Sequence, residues 1–274
     1  MTNFVILLKK NIVDMIRNKR FIVFGIVFVA ISLISALSAR YLPEIFEALL
    51  EGMEEEMGGQ MILFTSSVAD SYVQYISNIG QIAVLLIGIL FASSITKEKN
   101  KGTYNNLITH GVKDKEIVLA HYVSQLLLIT ISYLLSVAIF VVLNIVLFSQ
   151  IMGVRGLVTL TYLYLLLVAT LSFTLFCSCL CNKNSRAYLI VILGYFGLTL
   201  LEVIPRLNKF NPLHLLTIST ELMYYENYVL SEHLITSLFT IVISVVLVVV
   251  AVLVSRNRVN NHNKVTTYDK REGV

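Results

Sequence analysis

The chain has 274 residues, of which 57% are hydrophobic and only 14% are charged. Soluble domains carry about 25% charged residues, so this composition excludes an ordinary soluble domain and indicates a polytopic membrane protein. The formal net charge of +4 is too small, and the basic residues are too scattered, for a nucleic-acid-binding groove. We therefore expect an all-α fold of membrane-spanning helices.

The first segment, Asn3 to Asn18, has the pattern of an amphipathic helix. Its apolar face comprises Phe4, Val5, Leu8, Ile12, Met15 and Ile16, and its polar face comprises Lys9, Lys10, Asp14 and Arg17. Cations on such a face suit an anionic membrane surface. We expect residues 1–20 to form an interfacial helix.

Six apolar stretches are long enough to cross a bilayer, which needs about 20 residues. They are Phe21–Ala39, a stretch within Tyr72–Thr96, one within Ile117–Ile151, one within Leu157–Leu180, Ala187 to about Ile204, and Leu234–Val254. A polar, basic tail follows at 255–274, and we expect it to be poorly ordered. The chain is thus interpreted as a single transmembrane domain over residues 1–274.

The basic residues predict the orientation of the spans. With both termini in the cytoplasm, all but four of the 21 Lys and Arg lie on the cytoplasmic side, the exceptions being Arg40, Arg155, Arg206 and Lys209. The positive-inside rule favours this arrangement. We expect a multi-pass protein of the cell membrane, surrounded by lipid, with both termini cytoplasmic.

Two longer segments are predicted outside the membrane. Glu44 to Glu56 carries six carboxylates, and Pro43 predicts the start of an exposed helix that ends near Gly58-Gly59. The mutual repulsion of these carboxylates favours solvation over an ion site. The segment from Pro205 to His233 is too polar to span and too apolar for a solvated loop, so we expect a re-entrant hairpin of short interfacial helices.

The sequence contains no GxxxxGK[ST], HExxH or GxSxG motif and no Gly-rich dinucleotide turn. Cys177, Cys179 and Cys181 include no CxxC pair, so their spacing indicates neither a zinc site nor a disulfide framework; we interpret them as reduced thiols of unassigned role. Glu202 is interpreted as a solvated interfacial acid, and His121 as an interfacial or helix-packing residue. We expect a chain that catalyses no reaction and binds no cofactor or metal itself.

No buried acid, matched helix break or inverted repeat favours an ion-coupled transporter, and no filter sequence or charge ring favours a channel. The chain is therefore interpreted as a membrane domain driven by a partner. The alternatives are a stand-alone receptor, immunity or sensor protein and an intramembrane enzyme.

The longest charged segment between two apolar runs is Ile95–Gln125. A short helix is predicted at Tyr104–Ile108, with Thr103 as its N-cap and Gly111 as the turn after it. Asp114 is expected to cap the third span. One face of the short helix is an apolar surface formed by Tyr104, Leu107 and Ile108.

The order of these elements and the residues of this loop resemble the membrane subunits of ABC exporters of the second type. In that family the loop after the second span commonly reads Glu-x-x-x-Gly-Thr-x-x-x-Leu, which is matched here by Glu98, Gly102, Thr103 and Leu107. The following spacer usually carries a proline, where this chain has His110-Gly111-Val112. Asn211-Pro212 in the external hairpin is a weaker match. In layout, the likeness covers nearly the whole chain.

The resemblance implies the permease subunit of an ATP-driven exporter of a hydrophobic, amphipathic or peptide-like compound, as in multidrug or peptide efflux. ATP and Mg would bind to two separate ATP-binding subunits, and a second permease, identical or paralogous, would complete the pathway. The short helix and the N-terminal helix would contact the ATP-binding subunits.

The residues expected to couple the chain to those subunits are Glu98, Gly102, Thr103, Tyr104, Leu107 and Ile108. Glu98 is expected to pair with a cation, either on an ATP-binding subunit or on the N-terminal helix. The external hairpin would close the outer end of the pathway, with candidate gate residues Phe210, Asn211, Pro212, Tyr224 and Tyr225. Substrate identity and the choice between a homodimer and a heterodimer of permeases stay open, and the direction of transport depends on the resemblance alone.

Overall fold

The computed structural model describes residues 3–51, 66–225 and 230–272, and these residues contain helices and no strand. The helices are α1 (Asn3–Arg17), α2 (Arg20–Glu51), α3 (Val68–Asn78), α4 (Val84–Phe91), α5 (Ser94–Asn100), α6 (Thr103–Thr109), α7 (Asp114–Phe148), α8 (Gly153–Leu180), α9 (Asn184–Glu202), α10 (His214–Tyr224) and α11 (Leu230–Glu272). A π-helical turn follows α3 at Ile79–Ala83, and a 3-10 turn precedes α10 at Asn208–Phe210.

Six stretches of helix are long and apolar enough to cross a membrane. The first span lies in α2, the second runs from α3 through α5, the third, fourth and fifth are α7, α8 and α9, and the sixth is Leu234–Ser255 in α11. The prediction of an all-α protein with six spans is therefore confirmed.

Two helices continue further than the sequence predicts. α2 runs through Pro43 to Glu51, so the proline does not start a separate helix. Arg40 and Glu44 lie one helical turn apart, and the Arg40 guanidinium is 2.9 Å from the Glu44 carboxylate. α11 continues to Glu272, because no Gly or Pro interrupts it. The poor order expected of the tail stays a prediction. The predicted acidic residues Glu54, Glu55 and Glu56 lie outside the described residues.

The second and fourth spans form the centre of the bundle. In their most apolar stretches, 67% and 61% of the residues are buried, against 11% in the fifth span. The fourth span packs against the second, third, fifth and sixth spans and against α10. The fifth span consequently lies at the periphery, where its apolar side chains are largely exposed.

Aromatic and hydroxyl side chains join the first three spans. The Tyr75 ring stacks on Phe140 with their centroids 4.3 Å apart. The Ser136 hydroxyl hydrogen-bonds to Ser32 Oγ at 2.6 Å and to Tyr75 Oη at 2.8 Å. All four side chains are buried. Because buried polar groups are costly when unpaired, these mutual bonds stabilise one specific arrangement of the three spans.

The π-helical turn of the second span is a contact point for two other elements. Tyr195 of the fifth span donates a hydrogen bond to the Gly80 carbonyl oxygen at 3.1 Å. A Cβ atom at Gly80 would lie 2.6 Å from Leu216 Cδ1 of α10, so the absence of a side chain permits this close approach. The turn therefore connects the second span to both the fifth span and α10.

Candidate functional site

Helix α1 is joined to the end of the second span by an ion pair. Lys10 Nζ lies 2.7 Å from Glu98 Oε1, and His121 Nε2 of the third span lies 3.0 Å from Glu98 Oε2. Three elements thus meet at one carboxylate. The expected pairing of Glu98 with a cation of the N-terminal helix is confirmed. We call this end of the bundle, where α1 and α6 lie, the α6 end.

The face of α1 that packs on the bundle differs from its predicted apolar face. The buried residues follow a spacing of four and are Leu7, Asn11 and Met15. Other predicted residues of this helix are only partly buried, namely Phe4, Leu8 and Ile12, or exposed, namely Lys9 and Arg17. Only a narrow stripe of α1 contacts the third and first spans, so most of its apolar surface stays exposed. The interfacial location of α1 stays a prediction.

Two glycines in the left-handed conformation bound α6: Gly102 has φ 74° and Gly111 has φ 83°. The N-cap of α6 is Gly102 and not Thr103 as predicted, because the left-handed residue lets α6 begin directly after α5. Thr103 is the first helical residue, and its hydroxyl donates to the Glu98 carbonyl oxygen at 3.1 Å. The motif residues therefore build a tight corner between α5 and α6.

The side chain of Tyr104 is buried within the chain itself, with 1% of its surface exposed. Its hydroxyl donates to Asp114 Oδ1 at 2.8 Å and hydrogen-bonds to Ser255 Oγ. Burial raises the pKa of the Tyr104 phenol well above its ordinary value, and the Asp114 carboxylate adds to this rise. Tyr104 thus fastens α6 to the third and sixth spans, and the apolar surface predicted to face a partner is not exposed at this residue.

The start of the third span also differs from the prediction. Its N-cap is Lys113, and Asp114 is the first helical residue. The Glu116 carboxylate accepts a hydrogen bond from the Lys113 backbone N–H at 3.1 Å. The Asp114 carboxylate instead accepts a hydrogen bond from the Tyr104 hydroxyl. The general preference for Asp at the N-cap position therefore gives the wrong residue here.

The exposed side of α6 is polar. Leu107 and Ile108 are partly buried against the same cluster as Tyr104. Four exposed residues on the side away from this cluster are called the α6 surface: Asn105, Asn106 and Thr109 on the helix and His110 directly after it. It offers amide, hydroxyl and imidazole groups to a partner. The sequence signal for it was present, since 105, 106 and 109 lie opposite the apolar face of the helix.

At the opposite end of the bundle, Glu202 connects the fifth span to Asn211 and to the first turns of α10. Its carboxylate accepts hydrogen bonds from Asn211 Nδ2 at 3.0 Å and Thr217 Oγ1 at 3.0 Å, and lies 2.5 Å from His214 Nδ1. Asn211 is 1% exposed and also donates to the Leu198 carbonyl oxygen at 2.8 Å. The interpretation of Glu202 as a merely solvated acid is therefore wrong.

The five predicted gate residues separate into two groups at the two ends of α10: Phe210, Asn211 and Pro212, and Tyr224 and Tyr225. Phe210 packs edge-on against Phe239 of the sixth span, with centroids 5.4 Å apart. Tyr224 donates to Asp70 at the start of the second span at 2.9 Å, while Tyr225 is exposed. Residues 226–229 lie outside the described residues. The role of this segment as a gate stays a prediction.

A family model described as "ABC-2 family transporter protein" matches residues 50–253, about three quarters of the chain. The chain belongs to the ABC-2 family of transporter proteins. The matched region contains α6 and all of the second to fifth spans. A comparison with curated proteins gives no match. The protein is therefore a multi-pass permease of an ABC-type transporter, and α6 is its loop helix between the second and third spans.

The permease contains an apolar cavity of about 900 Å³ between its second, fourth, fifth and sixth spans. The residues lining it include Val84, Leu166, Phe173, Val191, Gly197 and Leu247. Its two tyrosine hydroxyls are already paired: Tyr188 donates to Ser93 Oγ at 2.8 Å, and Tyr195 donates to Gly80. If an apolar molecule bound in the cavity, both tyrosine hydroxyls would therefore keep their hydrogen-bond partners.

Cys177, Cys179 and Cys181 are buried thiols that form no disulfide, and burial of this kind makes a thiol inert. Within the described ranges, no group of three or more His, Cys, Asp or Glu side chains is placed to hold a metal ion.

Proposed function

We propose that this permease is the membrane subunit of an ATP-driven exporter whose ATP is bound with Mg and hydrolysed by separate subunits. Family membership supports the proposal, and the chain has no phosphate-binding motif of its own. The observation that carries it is the construction of α6. This helix presents a polar surface outward, while buried Tyr104 fastens it to the third and sixth spans.

The contacts of α6 give a physical route for coupling. Closure of an ATP-binding subunit against the α6 surface displaces α6, and Tyr104 transmits this displacement to two spans. The corner at Gly102 and the Glu98 ion pair extend the same route to the second span and α1. Because the Tyr104 contacts are short and buried or partly buried, little of the motion is lost in flexible side chains at that point.

The proposed assembly contains two ATP-binding subunits and two permeases. The exposure of the fifth span supports the presence of a second permease, since only 11% of the most apolar stretch of this span is buried within this chain. The α6 end is proposed to be cytoplasmic, as are both termini. It carries Lys10, Lys97, Lys101 and Lys113, consistent with the positive-inside rule.

The proposed substrate is hydrophobic or amphipathic, and it moves out of the cell. The apolar cavity supports this class, because its walls offer a large area for apolar contact. The segment from the 3-10 turn through α10 is proposed to close the outer end. Its attachments to the second, fifth and sixth spans would make it follow their movement.

The test is reconstitution of the permease with its ATP-binding subunits in liposomes. Alanine at all four positions of the α6 surface, Asn105, Asn106, Thr109 and His110, should lower substrate-stimulated ATP hydrolysis by about tenfold or more. The matched control, Ser185→Ala with Lys183→Ala, removes exposed polar groups from the N-terminus of α9 at the same end of the bundle and should retain activity.

Two outcomes would contradict the proposal. Wild-type transport by the α6 surface variant would show that this helix is only a connector. Function of the purified permease without nucleotide or partner would favour a stand-alone receptor, immunity or sensor protein.

A further inference from the structure

A polar pocket of about 310 Å³ lies at the α6 end, between α1, the end of the second span and the third span. We call it the basic pocket. Its lining includes four cations, Lys10, Arg20, Lys97 and Lys101, and two carboxylates, Asp14 and Glu98. Four positive charges against two negative ones leave a net charge of +2 with histidine neutral. The pocket therefore favours an anion.

Three of the four cations are available to a ligand. Lys10 is held by Glu98, whose other oxygen faces His121. Among the side chains that the structure describes, Arg20, Lys97 and Lys101 have no carboxylate partner. These three belong to the start of the first span and the end of the second, so they approach the pocket from two elements.

The inner wall of the basic pocket contains buried polar groups that no other described group satisfies. Gln125 is 0% exposed, yet neither its amide nitrogen nor its amide oxygen has a hydrogen-bond partner. The Ser94 hydroxyl, on a side chain that is 8% exposed, is also unpartnered. Buried donors and acceptors of this kind are costly unless something binds them. They give the pocket a hydrogen-bonding interior behind its cationic rim.

The position of the basic pocket indicates the source of the anion. Arg20 begins the first span and Lys97 lies in the last turns of the second, so the pocket is level with the membrane boundary. Nearby helices expose large apolar side chains there, including Ile16 on α1 and Ile22 on the first span. In the orientation proposed above, this is the headgroup level of the cytoplasmic leaflet, which contains anionic lipids.

We propose that the basic pocket binds the headgroup of an anionic phospholipid. Arg20, Lys97 and Lys101 contact its phosphate, and Gln125 and Ser94 hydrogen-bond to the polar groups that enter more deeply. Because α1 and the second and third spans all contribute to the wall, the bound lipid stabilises their association. The site is separate from the α6 surface, so it is tested without ATP-binding subunits.

The experiment uses the full-length permease in mild detergent, with lipid binding measured by native mass spectrometry. Dioleoyl-phosphatidylglycerol should bind more tightly than dioleoyl-phosphatidylcholine. The variant Arg20→Gln/Lys97→Gln/Lys101→Gln should bind phosphatidylglycerol about tenfold more weakly or worse. The control Lys113→Gln/Lys115→Gln/Lys183→Gln removes the same charge from exposed positions at the same end outside the pocket, and should retain most of the affinity.

A second variant distinguishes a loss of lipid binding from a loss of folding. Gln125→Leu keeps a similar volume and removes an unpartnered buried amide, so the lipid-free protein should unfold at the same or a higher temperature. Its affinity for phosphatidylglycerol should nevertheless fall severalfold. Unchanged affinity in both Gln125→Leu and the triple variant would overturn the proposal.

Three further results would also overturn it. Equal losses in the triple variant and its control would indicate general surface attraction. Equal binding of phosphatidylcholine would exclude recognition of an anionic headgroup. Complete displacement of the lipid by an equal concentration of inorganic phosphate would assign the pocket to a soluble anion.

Discussion

Lys10 Nζ lies 2.7 Å from Glu98 Oε1, and this ion pair connects residues that are 88 positions apart in the chain. The second carboxylate oxygen of Glu98 contacts His121, so α1 and the second and third spans meet at one side chain. Glu98 belongs to the loop motif, and Lys10 belongs to the N-terminal helix. The two parts of the permease predicted to face ATP-binding subunits are therefore attached to each other.

Removal of Lys10 should loosen α1 from the bundle. Lys10→Met is expected to lower the free energy of unfolding by about 1 kcal/mol, a modest value because the Lys10 side chain is 40% exposed. Lys9→Met removes the same charge from the neighbouring exposed position and should have little effect. Thermal unfolding in detergent measures both. After Glu98→Gln, the Lys10 substitution should cost almost nothing more, whereas additive losses would contradict a direct pairing.

The hydroxyl of Tyr104 should contribute to stability separately from its ring. Tyr104→Phe keeps the buried ring but leaves Asp114 and Ser255 without this partner, so a loss of about 1 to 3 kcal/mol is expected. Tyr225→Phe, at an exposed position, is the control and should be neutral. Thermal unfolding of the two variants compares them, and equal stabilities would refute the assigned hydrogen bonds.

The Tyr104 contribution should also depend on pH. Its pKa in the folded chain is raised above the ordinary value of 10.0, so the folded state holds this proton more tightly than the unfolded state does. The resulting stabilisation is fully present below pH 10 and is lost as the pH rises through the folded-state pKa. The stability difference between wild type and Tyr104→Phe should therefore shrink above about pH 10. A difference that grows with pH would reverse the assigned sign.

Hydropathy and spacing predict the spans because the length of an apolar helix follows directly from bilayer thickness. They do not predict which partner a helical face meets. Tyr104, Leu107 and Ile108 share a face of α6 as the spacing requires, yet the structure turns this face towards the permease's own third and sixth spans. The seven residues of α6 would have the same apolar pattern whether the surface that covers their apolar face belonged to this chain or to another.

Glu202 illustrates a second limit. From the sequence, a single acid near the end of a span is predicted to be solvated, because a hydropathy scale scores each residue without its partners in the fold. Its partners Asn211, His214 and Thr217 come 9 to 15 residues later, beyond a turn that contains Pro205. Only the folded path of the chain brings the acceptor and its donors together.

Glu202 should be required for the attachment of α10 to the fifth span. Glu202→Ala leaves the Asn211 and Thr217 donors without their acceptor, and a loss of about 1 to 3 kcal/mol is expected. Glu221→Ala removes an exposed carboxylate from α10 itself and serves as the control. Thermal unfolding, together with the rate at which a cysteine introduced at Pro212 reacts with maleimide, measures the detachment. An unreactive cysteine in the Glu202→Ala background would show that α10 is held by packing alone.

The apolar cavity should be essential for transport if it receives substrate. Gly197 lines it, and a Cβ at this position would have no atom within 4 Å, so Gly197→Phe can place a ring in the cavity without a clash at its first atom. The matched control is Gly25→Phe, since Gly25 is equally open but lies outside the cavity lining. Phenylalanine has a higher helix propensity than glycine at either position, so neither variant should unfold more easily. We expect Gly197→Phe to lower substrate-stimulated ATP hydrolysis and transport about tenfold, with basal ATP hydrolysis unchanged, and Gly25→Phe to resemble wild type. Equal activities of the two variants would place the substrate path elsewhere, because the added ring takes up part of the space and apolar wall that a bound substrate would use.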